Sequence, residues 1–258
     1  MALSAETSEE ISARGGYPRV TESMARQKRV LVVDVGGSNV KLYAPGSRKA
    51  VKFRSGPELT AAEMCERAVQ IARHWNFDAV SIGIPSILLH GRPAAEPGKL
   101  GDGWTRYDFR KAFGKPVKLL NDAAMQALGS YEGGRMLFLG LGTGVGSALI
   151  LDGVVVPLEL GQLRYRDKCA LEDTISKAAL KKLPAPERTK VVADIALNLK
   201  AAFLADYVLI GGGSADDLKN LPAGIRRGSN RNARLGGIRL WRDTPRRPVI
   251  KKYTIIVA

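Results

Sequence analysis

Hydrophobic and polar positions along the chain fall into two similar series, each opening on an apolar run that breaks into glycine. The first is "RVLVVDVGG" from Arg29, interrupted only by Asp34 before Gly36 and Gly37. Alternation resumes in "NVKLYA" and again in "KAVKFRS", which predicts a meander of three short strands. "TAAEMCERAVQIARHW" has helical spacing, with Thr60 as N-cap and Glu63 three places on to complete a capping box. "DAVSIGIP" reads as a buried strand stopped by Pro85, followed by a glycine- and proline-rich loop over 91–104 of functional type. A short helix "YDFRKAFG", a strand "PVKLLN" and a helix "DAAMQALGSYEGG" close this half.

The opening pattern then returns. "MLFLGLGTGVGSALILDG" is strand, glycine turn and strand, with "VVVPLEL" as a third. Helices follow over 171–182 and 187–204, separated by Pro184 and Pro186. "DYVLIGGGSADDL" is a strand, a glycine turn and a helix start, and "NRNARLGGIRLW" is helical despite its glycines. Two hairpins of the same design imply an internal duplication in which both turns face one cleft. The expected organisation is an N-terminal extension (1–28), an α/β domain (29–133), a second α/β domain (134–241) and a basic tail (242–258).

Glycine inside a sheet loses backbone entropy and packs no side chain, so these turns need another reason. "GLGTGVG" is not a dinucleotide fingerprint, because a strand follows it, and no G-K-[ST] marks a P-loop. Between two strands, glycine permits positive φ and exposes successive N–H groups as a concave anion site. Three apolar strands, ending near Val35, Leu141 and Ile210, all run into such clusters, which favours phosphate over plain hairpins. Asp34, at the end of an apolar strand, is costly unless paired or near a cation. Beside phosphate turns it suits Mg²⁺, directly or through water. Lys41 reads equally as a surface residue or a phosphate contact. Asp122, where a strand gives way to a helix, reads either as an N-cap or as a base for an attacking hydroxyl.

Composition narrows the partners. The 258 residues are 45% hydrophobic and 25% charged, a globular balance. No apolar run approaches the ~18 residues of a membrane span, and the first 28 lack the apolar centre of a signal peptide. Met24 is a candidate natural start, and a cytoplasmic protein is expected. Cys65 and Cys169 share no metal spacing, and His74 and His90 are too few for a zinc cluster or a Ser-His-Asp hydrolase. The net charge is +15, with ten Lys/Arg and one acid between Arg226 and Lys252, which points to a polyanion. That segment lacks interleaved aromatics, so nucleic acid is the least favoured such partner.

The motifs "DVGGSNVK", "LLNDAA", "LGLGTGVGSALILDG", "LELGQ" and "DYVLIGGG" occur in the order found in the ROK sugar kinases. Over 29–241 the sequence resembles that family, and in "GGSNVK", "GTGVGSALILDG" and "NARLGGIRLW" its polyphosphate glucokinase branch. The resemblance implies a two-domain α/β fold of the actin-like ATPase (ribonuclease H-like) type, with a central cleft. It implies a kinase that moves a phosphoryl group from polyphosphate or ATP, with Mg²⁺, to the 6-hydroxyl of a hexose, glucose above all. Asp122 would be the base. Asn121, Glu159, Glu172, Lys99 and Gln162 would line the sugar site. Gly36, Gly37, Ser38, Lys41, Gly142, Thr143 and Gly144 would hold phosphate, and Gly211, Gly212 and Gly213 the adenosine of a nucleotide. A homodimer accords with such relatives, though no residue pattern demonstrates an interface.

Three departures fall away from the phosphate turns. The cysteine cluster that binds zinc in many ROK proteins is absent, so no structural zinc is expected. Gln162 stands in place of the histidine of E-x-G-H; it can hydrogen-bond but not carry charge. Lys99 stands where relatives place a sugar-binding asparagine. These changes motivate an alternative, a sugar or nucleotide sensor of the same fold that binds without turnover.

Overall fold

β1 (Val30–Val35) is buried at every position, as an unbroken apolar strand must be when both its faces are covered. The computed structural model describes residues 28–165, 169–229 and 232–242. The expected N-terminal extension up to residue 27 and the tail from residue 243 lie outside the described residues. β2 (Asn39–Tyr43) runs antiparallel to β1 with Lys41 opposite Asp34, and β3 (Ala50–Arg54) runs antiparallel to β2. α1 (Ala61–Ala72) starts at the expected capping box: Thr60 Oγ1 accepts the Glu63 N–H at 3.2 Å, and the Glu63 carboxylate accepts the Thr60 N–H at 3.1 Å.

β4 (Ala79–Ile84) returns parallel to β1. The following loop carries a small ribbon, β5 (Leu88–Leu89) with β6 (Arg92–Pro93). α2 (Phe109–Phe113) then leads to β7 (Val117–Asn121), parallel to β4. The first sheet is therefore ordered β3-β2-β1-β4-β7.

α3 (Asp122–Ser130) carries the chain to a second sheet of the same plan. β8 (Arg135–Leu141), β9 (Val145–Leu151) and β10 (Val154–Leu158) form its antiparallel meander. After α4 (Leu171–Ile175), α5 (Lys177–Lys181) and α6 (Ala185–Ala202), β11 (Tyr207–Gly211) runs parallel to β8 and β12 (Ile225–Arg227) parallel to β11. The order β10-β9-β8-β11-β12 repeats the first sheet strand for strand.

α7 (Asn232–Arg239) ties the halves together. A Cβ on Gly129 of α3 would fall 1.8 Å from the Asn232 carbonyl oxygen, and one on Gly236 would fall 1.8 Å from that of Met125. The two helices thus cross at backbone contact, which only glycine allows. The far side of α7 lies on the first sheet: Gly237 abuts Val32, and its carbonyl accepts from Ser81 Oγ at 2.7 Å. Trp241 Nε1 donates to the same Ser81 hydroxyl at 2.8 Å.

Two local expectations change. Pro186 lies in the first turn of α6 rather than ahead of it, where a missing N–H costs nothing. β12 and the β5–β6 ribbon were not expected, because strands of two or three residues cannot display a period. Among the described residues, no helix is long and apolar enough to cross a membrane.

Candidate active site

At the end of β7 the sequence "ND" divides two tasks. Asn121 is the N-cap of α3: its Oδ1 accepts the N–H groups of Ala123 at 3.0 Å and Ala124 at 3.1 Å. Its Nδ2 donates to the Ser86 carbonyl at 3.2 Å. With capping done by Asn121, Asp122 is left at the first helical position, on the wall of a cavity. Asp122 Oδ1 accepts the Ala123 N–H at 2.8 Å. Burial first, then the negative charges of Asp34 and Glu159, pushes the Asp122 carboxyl up to about 7. A carboxylate at that value is matched to taking a proton near neutral pH.

The cavity measures about 530 Å³, within the range of small-molecule sites. Gly37 from the first hairpin and Gly142, Thr143 and Gly144 from the second all line it, so both turns meet one space opposite Asp122. Gly212, from the turn after β11, lines it too. Glu159, Gln162, Glu172 and Lys99 complete the polar wall. Gln162 Nε2 donates to Glu172 Oε1 at 3.2 Å. Desolvation, then the neighbouring Glu172 charge, holds the Glu159 carboxyl above its ordinary value.

Gly36, Ser38, Lys41, Asp34, Gly211 and Gly213 do not line the cavity. Lys41 Nζ instead donates to Asp34 Oδ2 at 2.9 Å, so the costly carboxylate and the unassigned lysine satisfy each other. Burial works against the Lys41 charge, but the Asp34 carboxylate outweighs it and its pKa is raised.

The reason for the glycines is corrected in part. Of the glycines in the three turns, Gly212 alone has positive φ, at 83°. Close approach accounts for Gly36, Gly144 and Gly211, whereas Gly37, Gly142 and Gly213 have room for a Cβ. A Cβ on Gly36 would sit 3.2 Å from the Asn39 carbonyl oxygen, and one on Gly144 would sit 3.0 Å from Glu172 Oε2. The Gly37, Thr143 and Gly144 N–H groups make no backbone hydrogen bond among the described residues, which leaves them available to an acceptor in the cavity.

No protein-family model matches the sequence. The chain is 26% identical over 225 residues to the polyphosphate glucokinase of Mycobacterium tuberculosis, spanning 79% of this chain and 84% of that protein. The inorganic polyphosphate/ATP-glucomannokinase of Arthrobacter sp. strain KM superposes with a TM-score of 0.68 at 22% identity, over 82% of this chain and 97% of that one. A ROK family glucokinase from Streptomyces griseus, solved with glucose and AMPPNP, superposes at 0.62 with 16% identity, over 82% and 98%. The chain has the ROK sugar-kinase fold and is polyphosphate glucokinase-like in sequence.

Within this ROK fold, Asp34 is the residue to test against Mg²⁺. It is 4% exposed and bonded to Lys41, and no group of three or more His, Cys, Asp or Glu among the described residues could cage a metal. Mg²⁺ at phosphate sites needs only one or two carboxylates, but Asp34 is off the cavity wall with its carboxylate held by Lys41, so as placed here it does not fit the ion. The basic segment is partly structural. Arg239 donates to the carbonyls of Leu128, Gly129 and Tyr131, and Arg226 pairs with Glu132 at 3.0 Å over the Tyr207 ring.

Sequence reasoning missed Ser86, Glu96 and Gln126, which also line the cavity. Gln126 had a readable signal, since it lies four places after Asp122 on the same helix face. Glu96 had none: it accepts from the Trp104 N–H at 2.8 Å and Thr105 Oγ1 at 2.6 Å, contacts made by loop folding. Those bonds, the Thr105 hydroxyl first, hold its carboxyl below the usual range.

Proposed function

We propose that the protein is a hexose kinase that transfers a phosphoryl group from polyphosphate or ATP to the 6-hydroxyl of glucose or a close relative. The observation that carries the reading is Asp122, titrating at about 7, on the same cavity as both glycine turns. The Asp122 carboxylate takes the hydroxyl proton as the oxygen–phosphorus bond forms and the donor's bridging bond breaks. The amides of Gly37, Thr143 and Gly144 orient the transferred group, which needs positioning and charge neutralisation more than covalent help. Glu159, Glu172 and Gln162 supply acceptors and one amide for sugar hydroxyls. Mg²⁺, arriving with the donor, would neutralise part of the charge on its phosphates when bound. The relatives' names, polyphosphate glucokinase and polyphosphate/ATP-glucomannokinase, support the same substrate class.

A coupled assay tests this: glucose and a hexose panel, each with ATP or polyphosphate and Mg²⁺, for the native chain and Asp122→Ala. The expected result is transfer to at least one hexose, lost by about 10²–10⁴-fold in the variant. Undiminished transfer in Asp122→Ala would exclude this base. Tight sugar binding without turnover for any pair would favour the sensor.

A further inference from the structure

Among the described residues, Lys99 is the one cation on the cavity wall. The family resemblance assigns its position to the sugar, yet its side chain reaches both glycine turns. Its stem runs over the first hairpin turn: a Cβ on Gly37 would be 3.8 Å from both Lys99 Cβ and Cδ. Its ammonium ends at the second turn, with Nζ 3.5 Å from where a Cβ on Gly144 would stand. Lys99 therefore bridges the two turns whose free amides face the cavity. Nζ makes no hydrogen bond or ion pair among the described residues, even though Glu172 Oε2 approaches the same Gly144 point at 3.0 Å.

We propose that Lys99 is a contact for the phosphoryl donor, placed to neutralise the phosphate between the two glycine turns, and not a sugar ligand. This rests on the kinase reading of the cavity. Two features select an anion: the ammonium is uncommitted, and it lies beside N–H groups that also lack a backbone acceptor. An ammonium is a compact charge with three rotatable donors, so it can follow a phosphoryl group as its charge spreads over three oxygens during transfer. It makes no demand on a base or ribose, and so serves polyphosphate and ATP alike. Lysine at 99 thereby adds to the donor side a charge that asparagine could not.

The test is calorimetric titration of the full chain and of Lys99→Met and Lys99→Arg, with tripolyphosphate and separately with glucose. Lys99→Met is expected to weaken tripolyphosphate binding roughly ten- to hundredfold, the worth of a charged hydrogen bond. Glucose affinity should stay within about twofold, and Lys99→Arg should recover most of the loss, since it keeps the charge. In turnover, the donor KM should rise while the glucose KM holds. Unchanged tripolyphosphate affinity, a loss falling on glucose, or a native chain that binds no tripolyphosphate each overturns the proposal. Because binding is read directly, a native chain that binds tripolyphosphate through Lys99 but phosphorylates nothing would sink the kinase reading and leave this contact standing.

Discussion

Asp122→Asn should cost the protein its activity and make the fold more stable, and both effects have one cause. The carboxyl titrates at about 7 in the folded chain against an ordinary 3.8. The folded state therefore keeps a proton that the unfolded chain has already lost. Stability falls as pH rises from about 4 to about 7, then levels off. At about 1.4 kcal/mol per unit, ionised Asp122 burdens the native state by about 4 kcal/mol above pH 7. Asparagine removes the charge and endangers the bond from the Ala123 N–H, worth about 1 kcal/mol. A net gain of about 3 kcal/mol at pH 8 follows, turning to a loss of about 1 kcal/mol near pH 4, and each kcal/mol moves Tm by about 2–4 °C for a chain of this size. Thermal melts of both proteins from pH 4 to 9 read the effect, alongside turnover. The native kcat/KM should have an acid limb near pH 7. A variant no more stable at pH 8, or a difference that ignores pH, would refute the claim that burial and neighbouring acids tune this group.

Other perturbations probe its surroundings. Glu159→Gln removes one of the charges that raise Asp122, so the acid limb of kcat should move to lower pH; a limb that stays fixed contradicts the coupling. Gly129→Ala puts a methyl against the Asn232 carbonyl and should cost more than about 2 kcal/mol, read as a fall in Tm. Thr60→Ala removes half of a capping box that does not line the cavity and should cost about 1 kcal/mol with kcat and both KM values unchanged.

The parts legible in the sequence were those governed by local rules. Alternation marked the two meanders, Thr60 and Glu63 marked the start of α1, and strand-to-glycine breaks marked the turns that line the cavity. Asp122 was recognisable as a polar group at a strand end, but not its freedom from capping, which depends on Asn121 taking both helix amides. The glycines of α7 looked like weaknesses for a helix. They are the crossing point with α3, visible only once Gly129 and Gly236 are seen facing each other's backbones. The Lys41–Asp34 pair was missed for a related reason. Lys41 and Asp34 are seven residues apart in sequence, and only the β1–β2 register sets them opposite each other. Local chemistry was readable; pairings made by folding were not.

The central claim is best tested by the product itself. Incubating the native chain with glucose, Mg²⁺ and either polyphosphate or ATP, and following the phosphorus spectrum, should reveal a phosphate ester on the 6-oxygen, with none from Asp122→Asn over the same interval. Release of inorganic phosphate alone, or an ester formed equally by the variant, would contradict the account.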